Sequence, residues 1–137
     1  MRVVIVDDTQ INVTLLQHLV RKIPDCESVC FTASVAALAW CIDNEPDLLI
    51  VDYMMPELNG IELVERFRQI PRYADIPVMM VTANHDAEVR HHALQMGVTD
   101  FLHKPLDNRE FVTRASNLLE LRKSHKQSFD PIESLTN

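Results

Sequence analysis

The sequence predicts an α/β three-layer sandwich: a five-stranded parallel sheet flanked by five helices. Three observations predict it. Short apolar runs alternate five times with amphipathic helical stretches, the pattern of βαβ crossovers. Two of the runs, residues 48–51 and 78–81, are apolar throughout, as strands covered on both faces must be. Three of them end in charge: Val3-Val4-Ile5-Val6 leads into Asp7-Asp8, Leu48-Leu49-Ile50-Val51 into Asp52, and Val98 to Leu102 through His103 into Lys104-Pro105.

Residues 2–6 form the first strand. Leu15, Leu16, Leu19, Val20 and Ile23 then recur at helical spacing until Pro24, which ends the segment. Residues 27–31 make a weaker strand, placed at a sheet edge. Val35, Leu38, Ala39 and Ile42 mark the inward face of the second helix, with Ser34 as its N-cap. Residues 48–51 are the third strand, and an irregular loop runs from Tyr53 to Gly60. The next helix turns Leu63, Phe67 and Ile70 inward. After the fourth strand, 78–81, Val89, Ala93 and Met96 define a helix capped by Asp86 and closed by Gly97. Residues 98–103 are the fifth strand. Asp107 and Glu110 have capping-box spacing ahead of a fifth helix carrying Phe111, Ala115 and Leu118.

Right-handed crossovers lay helices on both faces, and the doubly wound strand order 2-1-3-4-5 sets the first and third strands side by side at the topological switch point. Asp7, Asp8 and Asp52 then meet where open α/β sheets bind ligands. Carboxylates about 5 Å apart repel by about 3 kcal/mol per pair at an effective dielectric near 20. The cluster therefore predicts a divalent cation beside a reactive aspartate.

At 137 residues, 47% of them hydrophobic, the chain is long enough for one domain and a tail. Its net charge of -7 argues against this domain gripping nucleic acid directly. No apolar stretch reaches the roughly 18 residues of a membrane span. No signal-peptide pattern opens the chain, so the expected location is cytoplasmic. Cys26, Cys30 and Cys41 have neither disulfide-framework nor zinc spacing; they read as reduced, largely buried small hydrophobes.

In order and spacing, Asp7-Asp8, Asp52-Tyr53-Met54-Met55-Pro56 with Gly60, Val81-Thr82-Ala83 and Phe101-Leu102-His103-Lys104-Pro105 resemble the CheY-like receiver domain of bacterial two-component response regulators, a flavodoxin-like fold. The resemblance covers residues 1–121. It implies that Asp52 is the phosphoacceptor and that a sensor histidine kinase or phosphotransfer protein is the donor. It implies Mg2+ as the cofactor, with Mn2+ able to substitute. Asp8, Asp52 and the Met54 backbone carbonyl would be ligands, and Asp7 would act mainly through metal-bound water. Thr82 and Lys104 would contact the phosphoryl oxygens, and Phe101 stands at the aromatic switch position. A phosphoryl group would draw Thr82 inward and Phe101 after it, reshaping the face of the fourth helix, fifth strand and fifth helix, through which such domains also form homodimers. The resemblance further implies a cis Lys104-Pro105 bond, and places Met54 and Asn84 beside the path of attacking water.

The chemistry matches those residue types. Phosphoryl transfer asks for positioning and charge neutralisation. Mg2+ prefers hard oxygens. The protein itself would be no enzyme beyond its own phosphorylation and slow dephosphorylation. Two other readings compete: a docking receiver that works without phosphorylation, and an aspartate-nucleophile phosphatase of the haloacid-dehalogenase type. The latter family uses Asp-x-Asp, against Asp7-Asp8-Thr9 here.

Residues 122–137 read as a helical or flexible linker toward an output domain in the full-length chain, with Arg122, Lys123 and Lys126 on a solvated helix end and a stop at Asp130-Pro131. Asp130 to Asn137 resembles the opening of GGDEF diguanylate cyclases, with departures at Glu133 and Ser134. The segments 7–12 and 117–122 resemble receivers joined to HD-GYP phosphodiesterases. Both imply an output in cyclic di-GMP turnover; a DNA-binding output is the alternative. His85-Asp86, and the adjacent His91 and His92, read as helix-cap and surface residues rather than metal ligands. Trp40 reads as an anchor of the second helix.

Overall fold

The computed structural model describes residues 1–126 with their side chains and the helical backbone on to Thr136. Strands β1 (Arg2–Val6), β2 (Glu27–Phe31), β3 (Leu48–Val51), β4 (Val78–Thr82) and β5 (Asp100–His103) alternate with α1 (Gln10–Val20), α2 (Ser34–Asp43), α3 (Gly60–Arg68), α4 (Ala87–Met96) and α5 (Asn108–Thr136). The sheet is parallel in the order β2-β1-β3-β4-β5, as the alternation predicts.

Strand alternation divides the core in two. Val4, Val6, Leu49, Val51, Val78 and Met80 face the buried residues of α2, α3 and α4. Val3, Ile5, Leu48, Ile50, Met79 and Val81 face those of α1 and α5. β2 is an edge strand with no fully buried residue. Among the described residues no helix is long and apolar enough to cross a membrane. Cys41 is buried, while Cys26 and Cys30 are only half-buried, and all three are free. Burial pushes the Cys41 thiol up to about 12, which keeps it protonated and inert.

Several helix faces differ from those read in the sequence. Leu15, Val35 and Ile42 are exposed. The buried residues of α2 are Ser34, Ala37 and Cys41, because small side chains let a helix sit close to the sheet. Ser34 is not the N-cap: Ala33 holds that place. The Ser34 hydroxyl instead donates to the Pro56 carbonyl (3.1 Å) and accepts from the Leu58 amide (3.3 Å), tying α2 to the loop after β3. Trp40 is half-buried beside Phe31, under the Arg2 guanidinium.

β5 begins two residues later than expected. Gly97 closes α4 in the left-handed region (φ 109°), where glycine carries no Cβ penalty. Val98 is thereby turned back to hydrogen-bond the Ala93 carbonyl (3.0 Å).

The bounds of α5, Asn108–Thr136, take in Asp130-Pro131, where the sequence predicts a stop. Those residues, and the Asp130–Asn137 motif, lie outside the residues described with side chains. Of the basic residues expected on a solvated helix end, Lys123 and Lys126 are exposed, but Arg122 is not. Arg122 is 7% exposed and pairs with Glu45 (2.8 Å) and Asp47 (3.3 Å), and Lys126 pairs with Asp47 (3.0 Å). Asp47 also accepts from the Arg2 amide (2.8 Å), so α5 is clamped at Arg122 and Lys126 beside the start of β3.

Candidate functional site

Register builds the site. Val6 is paired with Val51, so the residues following them, Asp7 and Asp52, emerge together. Thr82 is paired with His103, which delivers Lys104 beside the end of β4. The Lys104 amide donates to the Thr82 carbonyl (3.0 Å), and the Lys104-Pro105 bond is cis, as the resemblance implies.

At the centre, the Lys104 ammonium donates to Asp7 Oδ2 (2.8 Å) and Asp52 Oδ2 (2.9 Å). The other Asp7 oxygen accepts from the Thr9 amide (3.0 Å) and from Asn12 Nδ2 (3.4 Å). Asp52 Oδ1 accepts from the Tyr53 amide (2.6 Å). Asp7 is buried, Asp52 sits at the margin of burial, and Asp8 is exposed. Burial works to lower the Lys104 pKa, but hydrogen bonds and charge from Asp7 and Asp52 outweigh it and hold the ammonium above the usual lysine value.

One oxygen each from Asp7, Asp8 and Asp52 lies within 4.8 Å of the others. Three carboxylate oxygens so placed, one set open to solvent, fit a hard divalent cation. Met54 follows Asp52 by two residues, and its side chain is 65% exposed.

Thr82 is buried at the end of β4, and its hydroxyl oxygen accepts from the Asn84 amide (3.2 Å). Phe101 already lies inside, 7% exposed among the residues of α4 and β4. The Arg90 guanidinium covers its ring at 5.6 Å. The sequence residues Asp7, Asp8, Asp52 and Lys104 are thus brought together, with Thr82 on the neighbouring strand end.

Three residues support the site; sequence reading named Gly60 but missed the roles of Ser34 and Asn59. Ser34 braces the loop after Asp52. Asn59 caps α3 in a full capping box with Glu62; the Asn-x-x-Glu spacing was the available signal. Gly60 opens α3 beneath the site, where a Cβ would fall on the Asp52 carbonyl oxygen and lie 2.9 Å from Met80 Cε. Gly60→Ala should therefore lower stability by about 1–3 kcal/mol through overpacking. Urea unfolding checks this, and an unchanged midpoint would contradict it.

Fold and site define a class: an acidic pocket closed by one lysine, at the switch point of a doubly wound parallel sheet. Residues 3–116 match the model of the response regulator receiver domain. The chain is 42% identical over 123 residues to the cyclic di-GMP phosphodiesterase response regulator RpfG of Xanthomonas campestris pv. campestris, covering 89% of this chain and 32% of that protein. It is 36% identical over 97 residues to the phosphate regulon transcriptional regulatory protein PhoB of Pseudomonas aeruginosa, covering 71% of this chain and 42% of that one. A response-regulator crystal structure from Chloroflexus aurantiacus J-10-fl superposes with a TM-score of 0.80 at 31% identity, over 87% of this chain and 97% of that one. The chain belongs to the receiver-domain family of two-component response regulators, a family of phosphorylation-controlled switches. It spans about a third of RpfG and less than half of PhoB.

Proposed function

We propose that Asp52 is the phosphoacceptor of this receiver. The observation that carries the reading is the Lys104 ammonium bridging Asp7 and Asp52 inside a three-carboxylate cluster. An Asp52 carboxylate oxygen attacks phosphorus in the phosphohistidine of a kinase or phosphotransfer protein. The phosphorus–nitrogen bond breaks, the imidazole leaves with the electron pair, and an acyl phosphate forms. Asp7, Asp8, Asp52 and the Met54 carbonyl would hold Mg2+, which neutralises phosphoryl charge when bound. Lys104 neutralises a further phosphoryl oxygen, and the Thr82 hydroxyl donates to another. The chain's own chemistry ends with this self-phosphorylation and slow hydrolysis.

The lip of the site suits a helical donor. Ile11 and Leu15 on α1 are exposed, and Leu15 lines a cleft with Lys104, Pro105 and Leu106. The domain boundary falls near residue 121, with α5 continuing as the link to an output domain. Likeness to RpfG supports an output in cyclic di-GMP turnover. The α4-β5-α5 face, where Arg114 holds Asp100 (2.9 Å) and Glu110 (3.1 Å), is the surface for a phosphorylation-dependent homodimer. A cytoplasmic location follows from the kinase partnership.

Incubation with Mg2+ and acetyl phosphate, followed by intact-mass measurement, tests the assignment. The wild type should gain one alkali-labile phosphoryl group, and Asp52→Asn should gain none. Undiminished labelling of Asp52→Asn would reject Asp52 as the acceptor, and an unlabelled wild type would favour phosphorylation-independent docking.

A further inference from the structure

The loop that follows Asp52 contains a residue in an unfavourable conformation. Glu57 has φ 67°, in the left-handed region, where the Cβ of any residue but glycine crowds the following carbonyl oxygen. Such a residue stays there only when its surroundings hold it. The hold is the Ser34 hydroxyl, at the start of α2. It donates to the Pro56 carbonyl (3.1 Å) and accepts from the Leu58 amide (3.3 Å), so it grips the two peptide groups that flank Glu57. Ser34 is 2% exposed, and water cannot readily take over either bond. The loop is closed again at its neck, where the Gly60 amide donates to the Tyr53 carbonyl (2.8 Å). Met54 lies between the neck and the grip.

We propose that Ser34 is a positioning residue for the cation site: by pinning Glu57 left-handed it fixes the path of the loop, and with it the direction of the Met54 carbonyl. The inference rests on the reading above, in which that carbonyl joins Asp7, Asp8 and Asp52 around Mg2+. Mg2+ demands near-ideal octahedral geometry, so a carbonyl that swings aside costs affinity although no ligand atom has been removed. A carboxylate ligand can re-aim by changing rotamer. A backbone carbonyl turns only with its peptide plane, which makes it the ligand most dependent on the loop. Ser34→Ala leaves the Pro56 carbonyl and the Leu58 amide without the hydroxyl, and Glu57 is then free to leave the left-handed region. Glu57→Gly removes the need for the grip, since glycine occupies that region without a Cβ penalty.

The test is calorimetric titration of the metal-free chain with Mg2+, alongside amide hydrogen exchange without metal. Ser34→Ala should bind Mg2+ about tenfold more weakly, the low end of what losing a support behind a metal ligand costs. Exchange at Glu57 and Leu58 should speed up in it. Exchange at Ile50 and Val51 in β3 should not, because alanine is a good helix former and keeps α2. In a Glu57→Gly background the same Ser34→Ala change should cost several-fold less affinity, since the two positions act through one conformation. Wild-type affinity in Ser34→Ala would overturn the positioning role and leave the receiver reading standing. An equal loss in both backgrounds would overturn it too, by making the hydroxyl a general packing contact, as would accelerated exchange throughout β3. A wild type that binds no Mg2+ would overturn the cation site and the role of Ser34 together.

Discussion

Lys104→Met is expected to destabilise the domain by about 3 kcal/mol in metal-free buffer, with Mg2+ recovering most of the loss. Methionine keeps much of the stem and removes the ammonium. Asp7 and Asp52 then lose the cation now 2.8 and 2.9 Å away. Their side chains are 1% and 12% exposed, so water replaces it poorly. Removing one partner of a buried ion pair costs about 3–5 kcal/mol, and the lower end applies because the amides of Thr9 and Tyr53 still hold the carboxylates. A cation bound at about 100 times its dissociation constant stabilises by about 2.7 kcal/mol.

The pH dependence has a definite sign. The folded-state pKa of Lys104 is raised, so its contribution is fully present below the unfolded value of about 10.4 and disappears as pH rises through the folded value. The gap between wild type and variant should hold at neutral pH and close in strong alkali. Urea unfolding with chelator and with Mg2+ measures it. Equal midpoints for the two proteins in chelator would refute the role given to the ammonium.

Arg122→Met should cost about 3 kcal/mol at pH 7, although it lies at the opposite edge of the sheet from the site. The side chains of Arg122 and Asp47 are each 8% exposed, and Asp47 keeps only the Arg2 amide and the half-exposed Lys126. This is again the loss of one partner from a buried pair. Burial raises the Asp47 pKa, but the Arg2 amide, Lys126 and Arg122 together outweigh it and hold the carboxyl below the usual aspartate range. Its contribution is therefore present above the unfolded value of about 3.9 and is lost as pH falls through the folded value. The deficit of the variant should be constant near neutrality and shrink below about pH 4. A deficit that persisted undiminished in acid would point to lost packing of the arginine stem instead.

The strands, their order and the acidic edge were legible in the sequence because each is written locally. A continuous apolar run marks a covered strand; Asp7-Asp8 and Asp52 follow such runs directly, and Lys104 follows the mixed strand that ends in His103. Asp86 and Gly97 were legible for the same reason, since a cap belongs to its own helix. Arg122 was not. It sits in a polar stretch, and its partner Asp47 is 75 residues away, so nothing nearby distinguishes a buried arginine from a solvated one. The face of α2 was misread because large Val35 and Ile42 outweigh Ala37 and Cys41 in any apolar pattern, whereas close packing favours the small pair. Ser34 looked like a cap because serine often is one; its hydroxyl turns instead to a loop more than twenty residues further on.

Asp47 stands just before β3 and Asp52 just after it, so the clamp on α5 and the carboxylate proposed as acceptor occupy opposite poles, roughly 16 Å of extended chain apart. On the proposed reading a donor protein would cover the upper pole while the clamp holds α5 at the lower one, so charging the acceptor would leave the clamp untouched.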